Sequence, residues 1–476
     1  MTITPSLQNT FVLLKEAFSS STDLKMKTMK FPHCEYGLFY LDTMIDTTVF
    51  QDHIVKPLTE RPDITVEEVI TLRVIEKSET FQEVVNAIVQ GKTVLQKEGE
   101  CVLYLLGTEL QKERSINIPT KERVLRGSNE AFIENLDTNI NMVRKNAPSA
   151  NLVVKYFTLG RVSKTRVAVV SIKGIANPDV VTMIERRLQQ IDIDYLEAPG
   201  FIQEFIQDKR FCLFPQVLTT ERPDRTRAYL MEGKTAIFTE GSPDVTLMPV
   251  SFWAFFQSPD DYQINWFFGS IFRLLRICCF FIAIGLPGLY ISLASFQSYV
   301  LPLNVALTFQ GALKYIALQP VVETVLMLIA LEILREATVR LANPIAQAIG
   351  VVGGIVIGTA VVQSNLVSNT AVIVASFTGL ASFIIPSYEM SSSVRVINYP
   401  VIFLSSIFGM VGFVFSLFCL LVYLCRMNTM GLPYFYPALF GSEAKDTLIR
   451  APIWKLRERP KEAAPLNRLR LRKPKG

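Results

Sequence analysis

Residues 341–388 read LANPIAQAIGVVGGIVIGTAVVQSNLVSNTAVIVASFTGLASFIIPSY, and this stretch decides the fold. It contains no Asp, Glu, Lys or Arg. A helix needs about 20 mostly apolar residues to cross the hydrocarbon of a bilayer, so the stretch holds two crossings. The polar run Gln363 to Asn369, QSNLVSN, separates apolar segments at 346–362 and 370–385, which makes them a helical hairpin. Charges are also missing between Arg276 and Lys314 and between Arg395 and Arg426. Each of those runs holds one crossing, at 277–299 and 401–424. A fifth apolar segment, 321–334, is shorter and carries Glu323 and Glu332; it reads as amphipathic and interfacial or re-entrant, with a full crossing as the alternative.

The chain of 476 residues is 50% hydrophobic with a mean hydropathy of +0.30, too apolar to be wholly soluble, yet before residue 265 it is too charged to be wholly membrane. The expected fold is two α/β cytoplasmic lobes, 1–120 and 121–265, followed by an α-helical polytopic membrane domain at 266–426 and a basic tail at 427–476. In the first lobe, helical patterns at 6–18, 44–55, 66–75 and 80–88 mix with strands at 36–41 and 101–106. The second shows helices at 130–144, 178–190, 201–207 and 224–231. Its strands lie at 152–157, 166–171, 235–238 and 245–248, the last stopped by Pro249.

The first residues, MTITPSLQNTFVLLKEAF, lack the basic start and apolar core of a signal peptide, so the lobes are expected in the cytoplasm. Twelve Lys and Arg against four Asp and Glu in 426–476 put the tail on the same side, and two ends on one side require an even number of crossings. The tail reads as a solvated topology anchor, with binding to anionic lipid or nucleic acid as the alternative; membrane lipid, and no nucleic acid, is the expected partner, and the Pro- and Lys/Arg-rich last stretch is expected to be disordered. Seven cysteines without a CxxC pair and only His33 and His53 exclude a disulfide framework and a multi-His metal centre. No phosphate-binding loop, nucleophile elbow or zinc motif occurs, so no enzyme activity or cofactor is expected. Thr220 to Asp224, TERPD, with Arg222, Pro223 and Asp224 at its centre, reads as a capped, salt-bridged helix start, with an anion site as the alternative.

Motifs along the chain resemble the A subunits of bacterial spore germinant receptors, the GerA family. They are ERVLRG at 122–127, FIENLDTN at 132–139, FPQ at 214–216 with TERPD, QSPDDY at 257–262 with Asp260 and Asp261, LPGLYISLASF at 286–296, EILREA at 332–337 with Glu332, Arg335 and Glu336, GGIVIG at 353–358, ASFIIPSY at 381–388 and DTLIRAP at 446–452. The resemblance implies a subunit of a nutrient-sensing complex in the inner membrane of a dormant spore, partnered by a transporter-like B subunit and a lipoprotein C subunit. It also implies a homo-oligomer, a pentamer, whose membrane domain is a nutrient-opened ion channel. The sequence departs from the family pattern at Met327, Thr338, Ala342, Ala346 and Thr359.

Two features become candidates within that frame. Ala342, Ala346, Gly350, Gly354 and Gly358 recur every four residues ahead of Val362, a spacing that lets helices approach closely in lipid, between subunits or within one. Glu332, Arg335, Glu336 and Arg340 share one helical arc and read as a solvated or interfacial salt-bridge face, whereas Glu323 falls about half a turn away with no cation within a turn. Such an acid in each subunit would form a carboxylate ring that concentrates cations; alternatively, Glu323 caps its own helix. A non-conducting scaffold is the competing function, and the lack of a visible repeat speaks against a solute carrier.

Overall fold

The computed structural model describes residues 3–470 except 33, 62–65, 73–74, 111–118, 120, 123, 125, 305, 308–310, 312–313, 315, 340–349, 351–352, 355–357 and 437–445. Strands β1 (Leu24–Lys30), β2 (Glu35–Leu41), β3 (Ile75–Ser78), β4 (Thr93–Lys97) and β5 (Leu103–Leu106) form an antiparallel sheet ordered β1-β2-β4-β5-β3. Side chains alternate across a strand, so β2 sends Phe39 and Leu41 to one face and Tyr36 and Leu38 to the other. Helices α1 (Leu7–Ala17) and α2 (Phe81–Val89) cover the first face through Leu7, Leu14, Val84 and Ile88, while Phe50, Ile54 and Leu58 cover the second. The helix expected at 66–75 stops at Val69, and β3 follows. Strands β1, β3 and β4 were not among the expected ones; β1, LKMKTMK, is a lysine-rich edge strand, whose charges guard an open sheet edge but hide the strand pattern.

A second antiparallel sheet comprises β6 (Leu152–Leu159), β7 (Thr165–Ile172), β8 (Leu218–Thr220), β9 (Thr235–Thr239) and β10 (Val245–Met248), ordered β6-β7-β9-β10-β8. Helices α4 (Pro178–Gln189) and α5 (Pro199–Ile206) pack on one face, against Val167, Val169 and Ile237. Helices α3 (Leu136–Asn146) and α6 (Pro223–Glu232) share a core with the other face. Helix α3 starts six residues later than the expected 130 because the Asn135 side chain accepts the Thr138 N–H at 2.9 Å and caps it there. Between the sheets, the Arg144 guanidinium donates to both Asp23 oxygens at 2.7 and 2.9 Å, and both residues are buried.

The core of the second sheet continues without a break into a helical bundle. Phe252 and Phe256 meet Phe280 edge-on at 5.3 and 5.4 Å between ring centroids, and Phe214 lies 6.2 Å from Tyr423. Phe280 belongs to α7 (Trp266–Ser295); the bundle adds α8 (Pro320–Val339), α9 (Asn369–Ile384) and α10 (Tyr388–Cys425). Helix α8 extends the segment expected at 321–334 into 20 residues, about 30 Å. It runs alongside α9, with Glu323 meeting Ser368 at one end and Arg335 meeting Ser382 at the other.

Helix α10 departs most from expectation. The single crossing expected at 401–424 is a hairpin, because Gly409 adopts φ 59°, ψ −137°, a conformation open mainly to glycine. Arm 388–408 runs parallel to α7 and arm 410–425 returns. Val401, Ser405 and Phe413 consequently all pack on Gly288, and Tyr423 comes back to the second sheet at Phe214. The bend rests on the end of α7, where the Gln297 side chain accepts the Met410 N–H at 3.1 Å.

The last stretch, expected to be disordered, is packed against the second sheet's helices where it is described, between 446 and 470. The Arg459 Nε donates to the Met231 carbonyl at 2.7 Å, Leu466 N–H donates to the Ile175 carbonyl at 3.0 Å, and Ala463 is fully buried. Gly233, left-handed at the end of α6 (φ 99°), would place a Cβ 3.1 Å from Pro465, so the tail sits where only glycine leaves room.

Removing the Asp23 carboxylate would leave the Arg144 charge buried and unpaired, which typically costs about 3–5 kcal/mol. Asp23→Ala is therefore expected to lower stability by about that amount in denaturant unfolding, and a loss well under about 1 kcal/mol would contradict the buried pair.

Candidate functional site

The most enclosed acid of the bundle is Glu323, in the first turn of α8 and fully buried. Three donors converge on it: the Tyr290 hydroxyl of α7 at 2.7 Å, the Ser368 N–H at 2.8 Å and the Ser368 hydroxyl at 3.1 Å. Ser368 is the N-cap of α9, its Oγ accepting the Ala371 N–H at 3.0 Å. The carboxylate thus joins three helices and lies at the positive ends of two, its own and α9, where negative charge is favoured. Glu323 is hydrogen-bonded to neighbouring elements, beyond the bare cap of its own helix considered from sequence. Met327, one turn on, is buried in the apolar cluster with Tyr290 and Ile291.

A second polar cluster lies toward the other end of α8. Glu332 accepts from Arg335 at 3.5 Å and from Arg395 of α10 at 3.3 Å, while Arg335 donates to the Ser382 hydroxyl at 2.9 Å and stacks over Phe383. The solvated or interfacial salt-bridge face expected here carries the Glu332–Arg335 pair and also reaches a second helix through Arg395. Glu336 is exposed beside it, and Arg340, Ala342 and Ala346 lie outside the described residues. Arg335, Arg395 and Asn398 line a cavity of about 40 Å³, room for a few waters.

Where the soluble core meets α7, the fully buried Asp261 accepts from Arg276 at 2.8 Å with both oxygens and from Arg273 at 3.4 Å. Arg273, also fully buried, donates to Asp446 at 3.0 Å, and the Tyr262 hydroxyl donates to the same carboxylate at 2.9 Å. Burial raises the Asp446 carboxyl above the usual carboxylate range, against the pull of Arg273 and Tyr262. Asp260 accepts the Arg126 N–H at 3.4 Å. Farther off, TERPD is structural: the buried Arg222 chelates Asp224 at 2.8 and 3.1 Å, Pro223 opens α6, and Arg225 pairs with Glu122. None of these residues joins Glu323.

Among the described residues, a Cβ at Gly350, Gly354 or Gly358 would meet nothing within 4 Å, while Gly353, off the stripe, faces Leu334; Val362 is half-buried. Tyr290, Ser368 and Asp446 were missed from sequence. The first two were visible as polar groups within apolar segments, which normally need a partner there.

The Bacillus/Clostridium GerA spore germination protein family matches residues 12–462. The chain belongs to the GerA family. It is 34% identical to spore germination protein B1 of Bacillus subtilis, covering 99% of this chain and 100% of that one. It is 32% identical to a B. subtilis protein named as the uncharacterized membrane protein YfkQ, covering 96% of this chain and 91% of that one. The crystal structure of the N-terminal domain of the A subunit of the Bacillus megaterium spore germinant receptor GerK3 matches 53% of this chain and 98% of its own, at 26% identity and a TM-score of 0.42. The expected family is therefore the observed one.

In this GerA-family chain, Tyr290→Phe removes one of three donors to a buried carboxylate. It is expected to lower the thermal midpoint of the detergent-solubilised protein, by an equivalent of about 1–3 kcal/mol. An unchanged midpoint would contradict the three-helix joint.

Proposed function

We propose that the chain is the A-type membrane subunit of a nutrient germinant receptor, and that its bundle is a cation path that opens when a partner subunit binds nutrient. The observation that carries this reading is the Glu323 joint, a buried acid shared by three helices, which a small displacement of α7 would break. Displacement can reach it because α7 shares one core with the second sheet. Released from Tyr290 and Ser368, one carboxylate per subunit of a homo-oligomer, a pentamer in this reading, would attract cations to the path. The open face of Gly350, Gly354 and Gly358 suits close packing between subunits. The transporter-like B subunit would bind the nutrient, with the lipoprotein C subunit completing the complex.

Membrane placement is supported by helix length and by the surface of the bundle. Among the described residues, Trp266–Ser295 is long and apolar enough to cross a membrane, and Tyr388–Cys425 is so by its total length, divided at Gly409 into two arms; their most apolar 18-residue stretches have mean hydropathies of 2.2 and 2.5. Phe281, Ile373, Phe377, Phe403, Val411, Phe415 and Phe418 point outward and are largely exposed, a surface that lipid would cover. In this placement α7, α8, α9 and the two arms of α10 are five passes. The Arg335 end of α8 and Asn365, whose carbonyl accepts the Ala317 N–H, lie at opposite ends of the bundle. The basic tail favours the cytoplasmic side for its own end of the chain.

A non-conducting scaffold is the second reading, favoured by the full enclosure of Glu323 within its own subunit. Conductance of the receptor complex in liposomes separates the two. Channel function is expected to give nutrient-dependent cation flux that Glu323→Gln alters severalfold while assembly by size exclusion is unchanged. A wild-type complex that assembles, binds nutrient and passes no ions would establish the scaffold.

A further inference from the structure

Residues 207–213, QDKRFCL, join α5 to the second sheet. They hold the most exposed aromatic ring among the described residues, Phe211, at 99% exposure. A single exposed apolar residue needs no explanation, but this one belongs to a built loop. The fully buried Gln216 accepts the backbone N–H groups of Asp208 and Lys209 at 3.0 and 3.3 Å and donates to the Lys209 carbonyl at 2.7 Å. Asp208 is further tied to Arg187. On the other side, Leu213 N–H donates to the Tyr423 hydroxyl at 3.1 Å, and Cys212 packs its sulfur against Met427 at 3.7 Å. Both ends are pinned, and the ring is held outward between them.

Tyr423 places the loop. It lies two residues before the end of α10, whose returning arm carries the outward stripe Val411, Val414, Phe415, Phe418 and Leu421. The loop therefore sits at the edge where that apolar surface ends. Phe211 and the half-exposed Leu213 continue the surface, while Lys209, Arg210 and Arg426 are exposed around it. An aromatic and an aliphatic side chain flanked by cations match the headgroup zone of an anionic bilayer, where rings sit at headgroup level and each cation near the surface contributes about 1 kcal/mol.

We propose that residues 209–213 are a lipid-docking loop of the soluble part: Phe211 and Leu213 enter the cytoplasmic leaflet and Lys209 and Arg210 face anionic lipid phosphates. The proposal rests on the membrane reading above. It gives the second sheet a foothold on the bilayer separate from its covalent link through α7, so that the lipid surface would hold the soluble part against the bundle.

Photocrosslinking tests it in the full chain reconstituted in phosphatidylglycerol–phosphatidylethanolamine vesicles, with p-benzoylphenylalanine in place of Phe211, of Phe418 or of Val12, an exposed residue of α1. Lipid adducts are expected at 418 and 211 and not at 12. Lys209→Glu with Arg210→Glu is expected to lower the yield at 211 severalfold and leave that at 418 unchanged. Adducts at 418 with none at 211 would overturn the docking loop and leave the membrane reading standing; absence at both would overturn the two together. Crosslinks from 211 to protein in place of lipid would make the loop a subunit contact and also overturn the proposal.

Discussion

Asp261, buried completely between Arg273 and Arg276, is the interaction on which the arrangement of the two halves depends. Charges taken out of water cost several kcal/mol each unless they are paired and hydrogen-bonded. Here they are paired across a boundary: the acids are Asp261, in the short helix Asp260–Gln263 ahead of α7, and Asp446 of the tail, and the cations come from the second and third turns of α7. Turning α7 would draw Arg273 and Arg276 away from the two acids that they pair with. The aromatic cluster around Phe252 and Phe280 then packs against that fixed helix, and the soluble sheet and the bundle share one core.

Within the bundle the same logic recurs at Glu323, whose partners come from two other helices, and at Glu332, whose cations come from its own helix and from α10. Apolar contacts between helices in lipid are permissive, because tails solvate side chains as well as neighbouring helices do. Polar joints specify. Breaking one leaves a charge that needs water or a new partner, the property on which the proposed opening rests.

Much of this was legible in the sequence, for a physical reason. Absence of charge marked the helices of the bundle, and Glu323 stood out because an acid in an apolar run demands an explanation. The partners of Glu323 were not legible, since Tyr290 and Ser368 lie 33 and 45 residues from it and nothing local links them. The α10 hairpin was hidden for the opposite reason to the turn at 363–369. That turn is polar and announces itself, whereas Gly409 turns the chain inside an uninterrupted apolar run, where a glycine reads as one more small residue of a helix. The packed tail was not legible because a basic composition resembles that of a disordered segment, although Arg459 donates to three backbone carbonyls, those of Met231, Asn467 and Leu469.

In the proposed membrane placement, the Gly409 hairpin decides which side of the membrane the tail occupies, and therefore whether the two sheets and the tail can meet at all. Single cysteines at Ser298, Met410, Ser258 and Asn467 in a cysteine-free chain, labelled with a membrane-impermeant maleimide on sealed vesicles of known orientation, measure it directly. The account requires Ser258 and Asn467 to label from one side and Ser298 and Met410 from the other. Labelling of Asn467 from the side opposite to Ser258 would make α10 a single crossing and contradict the shared core.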